Sequence, residues 1–118
     1  MVVEPRYAAG LKDLSGFERI WLLFWFDRAG AVNLVGPTFM DQRPHGVFAT
    51  RMPSRPNPIG MSCVKLLAVA ENVLQVEELD ILDGTPLLDI KPYTPRMDVF
   101  QVQREGWIAE VIDKKSPG

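Results

Sequence analysis

A proline-rich loop at residues 51–60 is the first segment of this sequence that could do chemistry. It reads RMPSRPNPIG, and its three prolines leave a stiff, extended chain with few backbone donors. Arg51 and Arg55 are held on this arginine loop, and preorganised guanidinium groups suit a carboxylate or a phosphate. Asn57, between two prolines, could recognise an amide or a base edge. The alternative is a structural crossover whose arginines pair with surface acids.

A second segment, residues 79–93, reads LDILDGTPLLDIKPY and places acids among apolar residues. Carboxylates that are partly buried need hydrogen-bond partners. Asp80, Asp83 and Asp89 could therefore accept bonds from ribose hydroxyls, an amino group or the backbone of a turn. Two structural alternatives stay open: Asp83 as the acceptor of an Asx turn, and Asp89 paired with an arginine of the first segment. The sequence contains no glycine-rich phosphate-binding fingerprint.

Short apolar segments separated by ten prolines and nine glycines must position these two loops, which favours strands over helices. We predict one helical turn within 13–18, a hairpin through a tight turn at 71–72, and a turn at 83–86. The predicted strands are residues 20–26, 46–50, 59–70, 73–77, 87–90, 99–103 and 107–112. The fold class that follows is all-β and mainly antiparallel, a small β-barrel with few short helical turns.

The strand at residues 20–26, IWLLFWF, is apolar at every position. A strand of this kind is typically covered on both faces, whereas a strand with one solvated face alternates apolar and polar residues. We therefore expect one face of the sheet to be covered by another subunit, and the protein to be a homodimer.

Charge is unevenly distributed in a chain of 118 residues, a length typical of one domain. The net charge of −2 excludes a protein that coats nucleic acid by bulk positive charge, but it leaves room for a local basic patch. Residues 42–70 carry no acid, and residues 71–90 carry six acids and no lysine or arginine. These segments either line two sides of a polar cleft or form ordinary solvated faces.

Several classes of protein are excluded by counts alone. One cysteine, Cys63, and one histidine, His45, allow neither an intrachain disulfide nor a multi-cysteine or two-histidine metal site. His45 could serve as a base, although a single loop histidine is more typically exposed or hydrogen-bonded. The longest apolar run has seven residues, far below the roughly 20 that cross a bilayer, and no signal peptide precedes it. We expect a cytoplasmic protein with no membrane partner and no metal.

Four strings in these segments resemble the TrmO (TsaA-like, YaeB-like) family. They are HGVFATR at 45–51, RPNPIGMS at 55–62, LDILDGTP at 79–86 and LDIKPY at 88–93. GFERIWLLFWF at 16–26 also resembles an early strand of that family, so the similarity runs from about Tyr7 to Asp98. The strings are long and unusual, which makes a chance match improbable.

The resemblance implies a small β-barrel that dimerises and binds S-adenosylmethionine near the subunit interface. It also implies methyl transfer to N6 of N6-threonylcarbamoyladenosine next to the anticodon of tRNA. We expect a single TsaA-like domain over 1–118, without the family's usual first strand and without a C-terminal accessory domain. The residues that match positions near the cofactor are Asp27, Arg28, Arg51, Met61, Leu79, Asp80, Ile81 and Leu82.

For the reaction, we expect Asp80 or Asp83 to bind the cofactor amine or ribose or to accept the proton from N6. Arg51 would face the cofactor carboxylate or a phosphate of the anticodon loop. The expected tRNA contacts are Arg43, Arg55, Asn57 and Lys65. The alternative function is a module with the same barrel that binds S-adenosylmethionine or a related nucleoside without catalysing transfer.

Overall fold

Two compact units make up the chain in this computed structural model, which describes residues 1–81 and 83–115. The first unit comprises Met1–Asp27 and Ile59–Val99, and the second comprises Arg28–Pro58 and the chain from Phe100 onward. The strands are β1 (Arg19–Trp25), β2 (Val35–Gly36), β3 (His45–Gly46), β4 (Ile59–Ala70), β5 (Val73–Glu77) and β6 (Leu87–Pro92). The α-helices are α1 (Pro95–Asp98) and α2 (Trp107–Lys115), and three 3-10 helices cover Pro5–Leu11, Leu14–Gly16 and Val47–Ala49.

The first unit is built on an antiparallel sheet with strand order β5-β4-β1-β6. Along β1, the side chains of Ile20, Leu22 and Phe24 are buried and alternate with less buried neighbours. The buried face packs with Val64, Leu66 and Leu74 of β4 and β5. On the opposite face, Trp25 is 36% exposed, so this chain covers that face only in part.

The β4–β5 hairpin confirms the sequence prediction at both strands. Its turn uses Glu71 in the left-handed conformation (φ 55°), and Val69 pairs with Leu74 on the way back. The amino terminus adds to the outer edge of β5, where the amide of Leu74 donates to the carbonyl of Met1 at 2.8 Å. The predicted helical turn near residue 15 is also confirmed, by the 3-10 helix Leu14–Gly16.

The second unit has little regular structure. Strands β2 and β3 are two residues long each and pair only with one another. Among its described residues, only Val47 and Val111 are buried. Helix α2 carries Val111 one turn after Trp107, so both lie on one face of the helix.

Four predictions of secondary structure or architecture need correction. Within the described residues the four-stranded sheet is open, so the closed barrel is not confirmed, although the mainly antiparallel sheet is. Residues 107–112 form part of helix α2 and not a strand, because WIAEVI has apolar residues four apart. The predicted strand at 46–50 ends at Gly46, where the 3-10 helix Val47–Ala49 begins. Residues 99–103 form no strand.

Candidate functional site

The arginine loop is shaped by hydrogen bonds from two side chains, that of Thr50 just before the loop and that of Arg55 within it. The hydroxyl of Thr50 donates to the carbonyl of Val47 at 2.8 Å and accepts from the amide of Met52 at 3.2 Å. Nη1 of Arg55 donates to the carbonyls of Thr50 and Met52 at 2.9 and 3.0 Å. Arg55 therefore holds the loop in shape, and this use of an arginine could not be read from the sequence because the acceptors are backbone carbonyls.

Arg51 differs from Arg55 in both exposure and partners. Its side chain is exposed, and its guanidinium makes no hydrogen bond or ion pair with any residue that the structure describes. A guanidinium that is free and held on a stiff loop remains available for an anionic group. Asn57 is also exposed, two residues beyond Arg55 on the same loop.

Residues 79–93, called the aspartate segment from here on, follow β5 in the first unit and include β6. Glu78, directly before the segment, and Gly84, within it, have positive φ values of 67° and 83°, and the latter confirms the predicted glycine turn. Asp80 and Asp83 are exposed, whereas Ile81 is half-buried against the hydrophobic core. Leu79 is also exposed, and Leu82 lies outside the described residues.

Asp89 lies on β6, and its partners are local. One carboxylate oxygen accepts from the amide of Ile90 at 2.8 Å, and the other lies 3.4 Å from Nζ of Lys91. Within the first unit its ion-pair partner is thus the neighbouring Lys91.

The remaining predicted site residues divide between the two units. Met61 is 46% exposed and pairs with Leu23 in the β1–β4 register, and the exposed Asp27 lies two residues beyond the end of β1. Lys65 lies four residues further along β4, opposite Arg19 and Glu77. Four residues of strand span about 13 Å, so Met61 and Lys65 are well separated. Arg28, Arg43, Arg51, Arg55 and Asn57 belong to the second unit.

A polar cluster around Asp41 in the second unit was missed by sequence reasoning. Asp41 accepts from Nε of Arg43 at 2.7 Å and lies 3.0 Å from Nε2 of His45. Arg43 also forms an ion pair with Glu110 of helix α2 at 3.0 Å. The His45 ring stacks on Trp107, with 4.3 Å between centroids. The spacing D-x-R-x-H was the signal available in the sequence.

The electrostatics of this cluster follow from its hydrogen bonds. Those from Arg43 hold the pKa of the Asp41 carboxyl well below its usual range, and His45 adds to the effect. The same contacts, first with Asp41 and then with Glu110, raise the pKa of Arg43. Arg43 is therefore a fixed cation whose side chain is 49% exposed, so part of it still faces solvent.

Two cavities of very different size lie in the two units. In the second unit, a cavity of about 30 Å³ beside His45, Thr50 and Ser54 has room for about one water molecule. In the first unit, an open groove of about 800 Å³ runs between the 3-10 helix Pro5–Leu11 and residues 86–90. Of these two cavities, the groove is the one with nucleoside dimensions, and none of the predicted cofactor residues lines it.

Within the described part of the chain, no three His, Cys, Asp or Glu side chains come together as a metal site requires. No helix among residues 1–81 and 83–115 is long and apolar enough to span a membrane.

Comparison with known proteins identifies relatives for most of the chain. The family model for the tRNA-methyltransferase O N-terminal domain matches residues 1–99. A probable S-adenosyl-L-methionine-binding protein of Pyrococcus abyssi is 48% identical over 112 residues, which cover 95% of this chain and 61% of that protein. A tRNA (adenine(37)-N6)-methyltransferase of Mus musculus is 41% identical over 91 residues, covering 75% of this chain and 21% of that protein.

Solved structures agree with the sequence comparisons. The crystal structure of TrmO from Pseudomonas aeruginosa superposes with a TM-score of 0.72 at 37% identity, over 89% of this chain and 45% of that one. The chain thus spans about half the length of that structure and under two thirds of the Pyrococcus protein. A family model that matches residues 1–99 covers all the predicted cofactor residues, and the chain therefore belongs to the TrmO family.

Proposed function

We propose that this protein transfers a methyl group from S-adenosylmethionine to N6 of a threonylcarbamoyl-modified adenosine next to the anticodon of tRNA. The observation that carries the proposal is the family match over residues 1–99, which includes both the arginine loop and the aspartate segment. The S-adenosyl-L-methionine-binding relative of Pyrococcus abyssi supports the cofactor, and the mouse tRNA (adenine(37)-N6)-methyltransferase supports the adenine N6 position.

The proposed cofactor residues suit the chemistry of S-adenosylmethionine. Arg51 has a free guanidinium for the carboxylate of the methionine part, and the exposed Asp80 has acceptors for an amine or hydroxyls. Met61 and Leu79 expose apolar surface that an adenine ring can cover. Asp27, Arg28, Ile81 and Leu82 complete the proposed set.

When bound, S-adenosylmethionine supplies a methyl group on a positively charged sulfur, and the new N–C bond forms as the C–S bond breaks. The carboxylate of Asp80 or Asp83 accepts the proton that N6 loses. A carbamoyl substituent makes the N6–H more acidic than in plain adenosine, which lowers the demand on that base. The protein contributes mainly by holding its proton acceptor and its arginine in place.

The proposed tRNA contacts are Arg43, Arg55, Asn57 and Lys65. Arg55 uses only Nη1 in the loop, so its other N–H groups can face a phosphate. Arg43 is held by Asp41 and Glu110 with half of its side chain in solvent. The partly exposed apolar face of β1 and β4, which includes Trp25, supports the further proposal of a homodimer. A tRNA substrate and a single cysteine fit a cytoplasmic location.

Transfer of labelled methyl groups to tRNA with and without the threonylcarbamoyl modification tests this function. We expect incorporation only into the modified tRNA, and Arg51→Ala to lower it by at least about tenfold, as loss of a charged contact does. Arg96→Ala, a change at an exposed arginine of helix α1, is the control. Equal turnover by Arg51→Ala and wild type would remove Arg51 from the site.

Calorimetry with S-adenosylmethionine separates the proposed enzyme from a binding module. Binding together with transfer supports the methyltransferase. Binding without transfer to either tRNA would replace it with the module, and absence of binding would contradict both.

A further inference from the structure

The aspartate segment follows a residue in an unfavourable backbone conformation. Glu78 follows directly on β5 and has a φ of 67°, in the left-handed region that residues with a side chain rarely adopt. Because Leu79, Asp80 and Ile81 come next, the direction in which the segment leaves the sheet depends on Glu78. Such a conformation persists only where surrounding contacts impose it.

The side chain of Glu78 contacts Arg19, at the start of β1. Nη1 of Arg19 lies 2.8 Å from Oε2 of Glu78 and donates to the carbonyl of Cys63 at 3.3 Å. The hydrogen bond from Arg19 is the main cause that lowers the pKa of Glu78, with a smaller contribution from Lys65. The Glu78 carboxylate therefore stays ionised and paired.

Arg19 is itself held firmly. The sheet register places it opposite Lys65, and the amide of Tyr93 donates to its carbonyl at 3.2 Å. The backbone carbonyl of the preceding residue, Glu18, accepts a hydrogen bond from the amide of Leu66 at 2.9 Å. The backbone of Arg19 is therefore held from both sides of β1, by β4 on one side and by Tyr93 on the other.

We propose that Arg19 is a positioning residue for the S-adenosylmethionine site, which fixes Glu78 in its left-handed conformation and thereby directs Leu79, Asp80 and Ile81 toward the ligand. This rests on the proposed function of that segment. The turn within the segment needs no such contact, because Gly84 adopts its positive φ without a side-chain penalty. Arg19 does not touch the ligand and acts only through Glu78.

The test uses the full chain with three changes: Arg19→Ala, Glu78→Ala, and Arg19→Ala combined with Glu78→Gly. Calorimetry gives the dissociation constant for S-adenosylmethionine, and hydrogen exchange of the unliganded protein follows the amides of residues 79–81. We expect each single alanine variant to bind about fivefold more weakly and to exchange faster, because each removes the Arg19–Glu78 ion pair and leaves a residue with a side chain in the left-handed region at position 78. Glycine at 78 should restore affinity to within about twofold of wild type despite the loss of Arg19.

Arg96→Ala is the matched control, because Arg96 is an exposed arginine of helix α1 in the same unit and is expected to change neither readout. Unchanged affinity and exchange in both alanine variants would overturn the proposal, as would failure of glycine to restore binding. Should Arg19→Ala fail to fold, Glu78→Ala alters an exposed side chain and decides the question alone. If wild type does not bind S-adenosylmethionine, the proposed function fails, and the exchange rates still show whether Arg19 sets the segment.

Discussion

The two units of this chain are stabilised by different forces. In the first, six buried side chains from three strands form the core. In the second, hydrogen bonds and ion pairs of Arg43, Arg55 and Trp107 connect segments that contain only two buried hydrophobic residues among those described. The first unit therefore positions its candidate site residues by strand register, and the second unit positions its own by polar contacts and prolines. Substitutions should therefore affect the units in different ways.

The largest effect should come from the core of the first unit. Leu22 is completely buried in β1, so Leu22→Ala leaves a cavity and should lower the free energy of unfolding by about 2–5 kcal/mol. Denaturant titration measures this. Leu88→Ala, at a site that is 52% exposed on β6, is the control and should cost under about 1 kcal/mol. An equal loss of unfolding free energy in Leu22→Ala and Leu88→Ala would contradict a core that lies on one face of the sheet.

A second prediction concerns how closely the core is packed at Gly60. A Cβ added there would lie 2.6 Å from the ring of Phe26 and would also collide with Phe24. Gly60→Ala should lower stability by about 1–3 kcal/mol, because rings fixed in the core cannot move aside easily. Gly16→Ala meets no atom within 4 Å and is the comparison in thermal unfolding. A neutral Gly60→Ala would mean that the sheet tolerates overpacking.

In the second unit the corresponding change is Trp107→Leu. It keeps an apolar side chain but removes the stack on His45 and the hydrogen bond from Nε1 to the carbonyl of Ala49, which is 2.8 Å long. We expect a loss of about 1–2 kcal/mol. Hydrogen exchange should rise at residues 45–50 and stay unchanged in β1. Faster exchange in both units would show that they unfold together.

The smallest effect is a pH dependence specific to the second unit. Since Arg43 lowers the pKa of Asp41 in the folded chain below the ordinary 3.8, folding favours the ionised form. Asp41 therefore stabilises the fold above about pH 4, and this contribution is lost as the pH falls further toward the folded pKa. Asp41→Asn should lower stability at pH 7 and flatten the acid limb of a plot of melting temperature against pH. If the acid limb of Asp41→Asn is as steep as that of wild type, the loss of stability at low pH comes from other carboxylates.

The difference between the strand-built first unit and the irregular second unit also explains which elements could be predicted from the sequence. Strands β1, β4 and β5 were predicted within one residue, because apolar β-branched and aromatic runs between turn residues are a local signal. Helix α2 was mistaken for a strand, since a six-residue apolar pattern fits either period. The closed barrel was inferred from many short strands, of which those at 99–103 and 107–112 are not strands in the structure.

For the candidate site, the sequence predicted which loops carry the polar groups but not how those groups are used. Thr50 and Arg55 bind backbone carbonyls, which leave no trace in residue types. Arg19 and Glu78 are 59 residues apart, so their contact exists only once β1 and β5 are assembled around β4. Asp41, Arg43 and His45 lie within five residues of each other, so this part of the Asp41 cluster had a local signal in the sequence, although sequence reasoning missed it.

The stack of Trp107 on His45 makes this chain suited to fluorescence spectroscopy. Its three tryptophans divide between the units, with Trp21 and Trp25 on β1 and Trp107 on α2. Replacing the first pair by phenylalanine leaves Trp107, which stacks on the His45 ring, as the single emitter. The intensity of that emitter reports the state of the second unit alone.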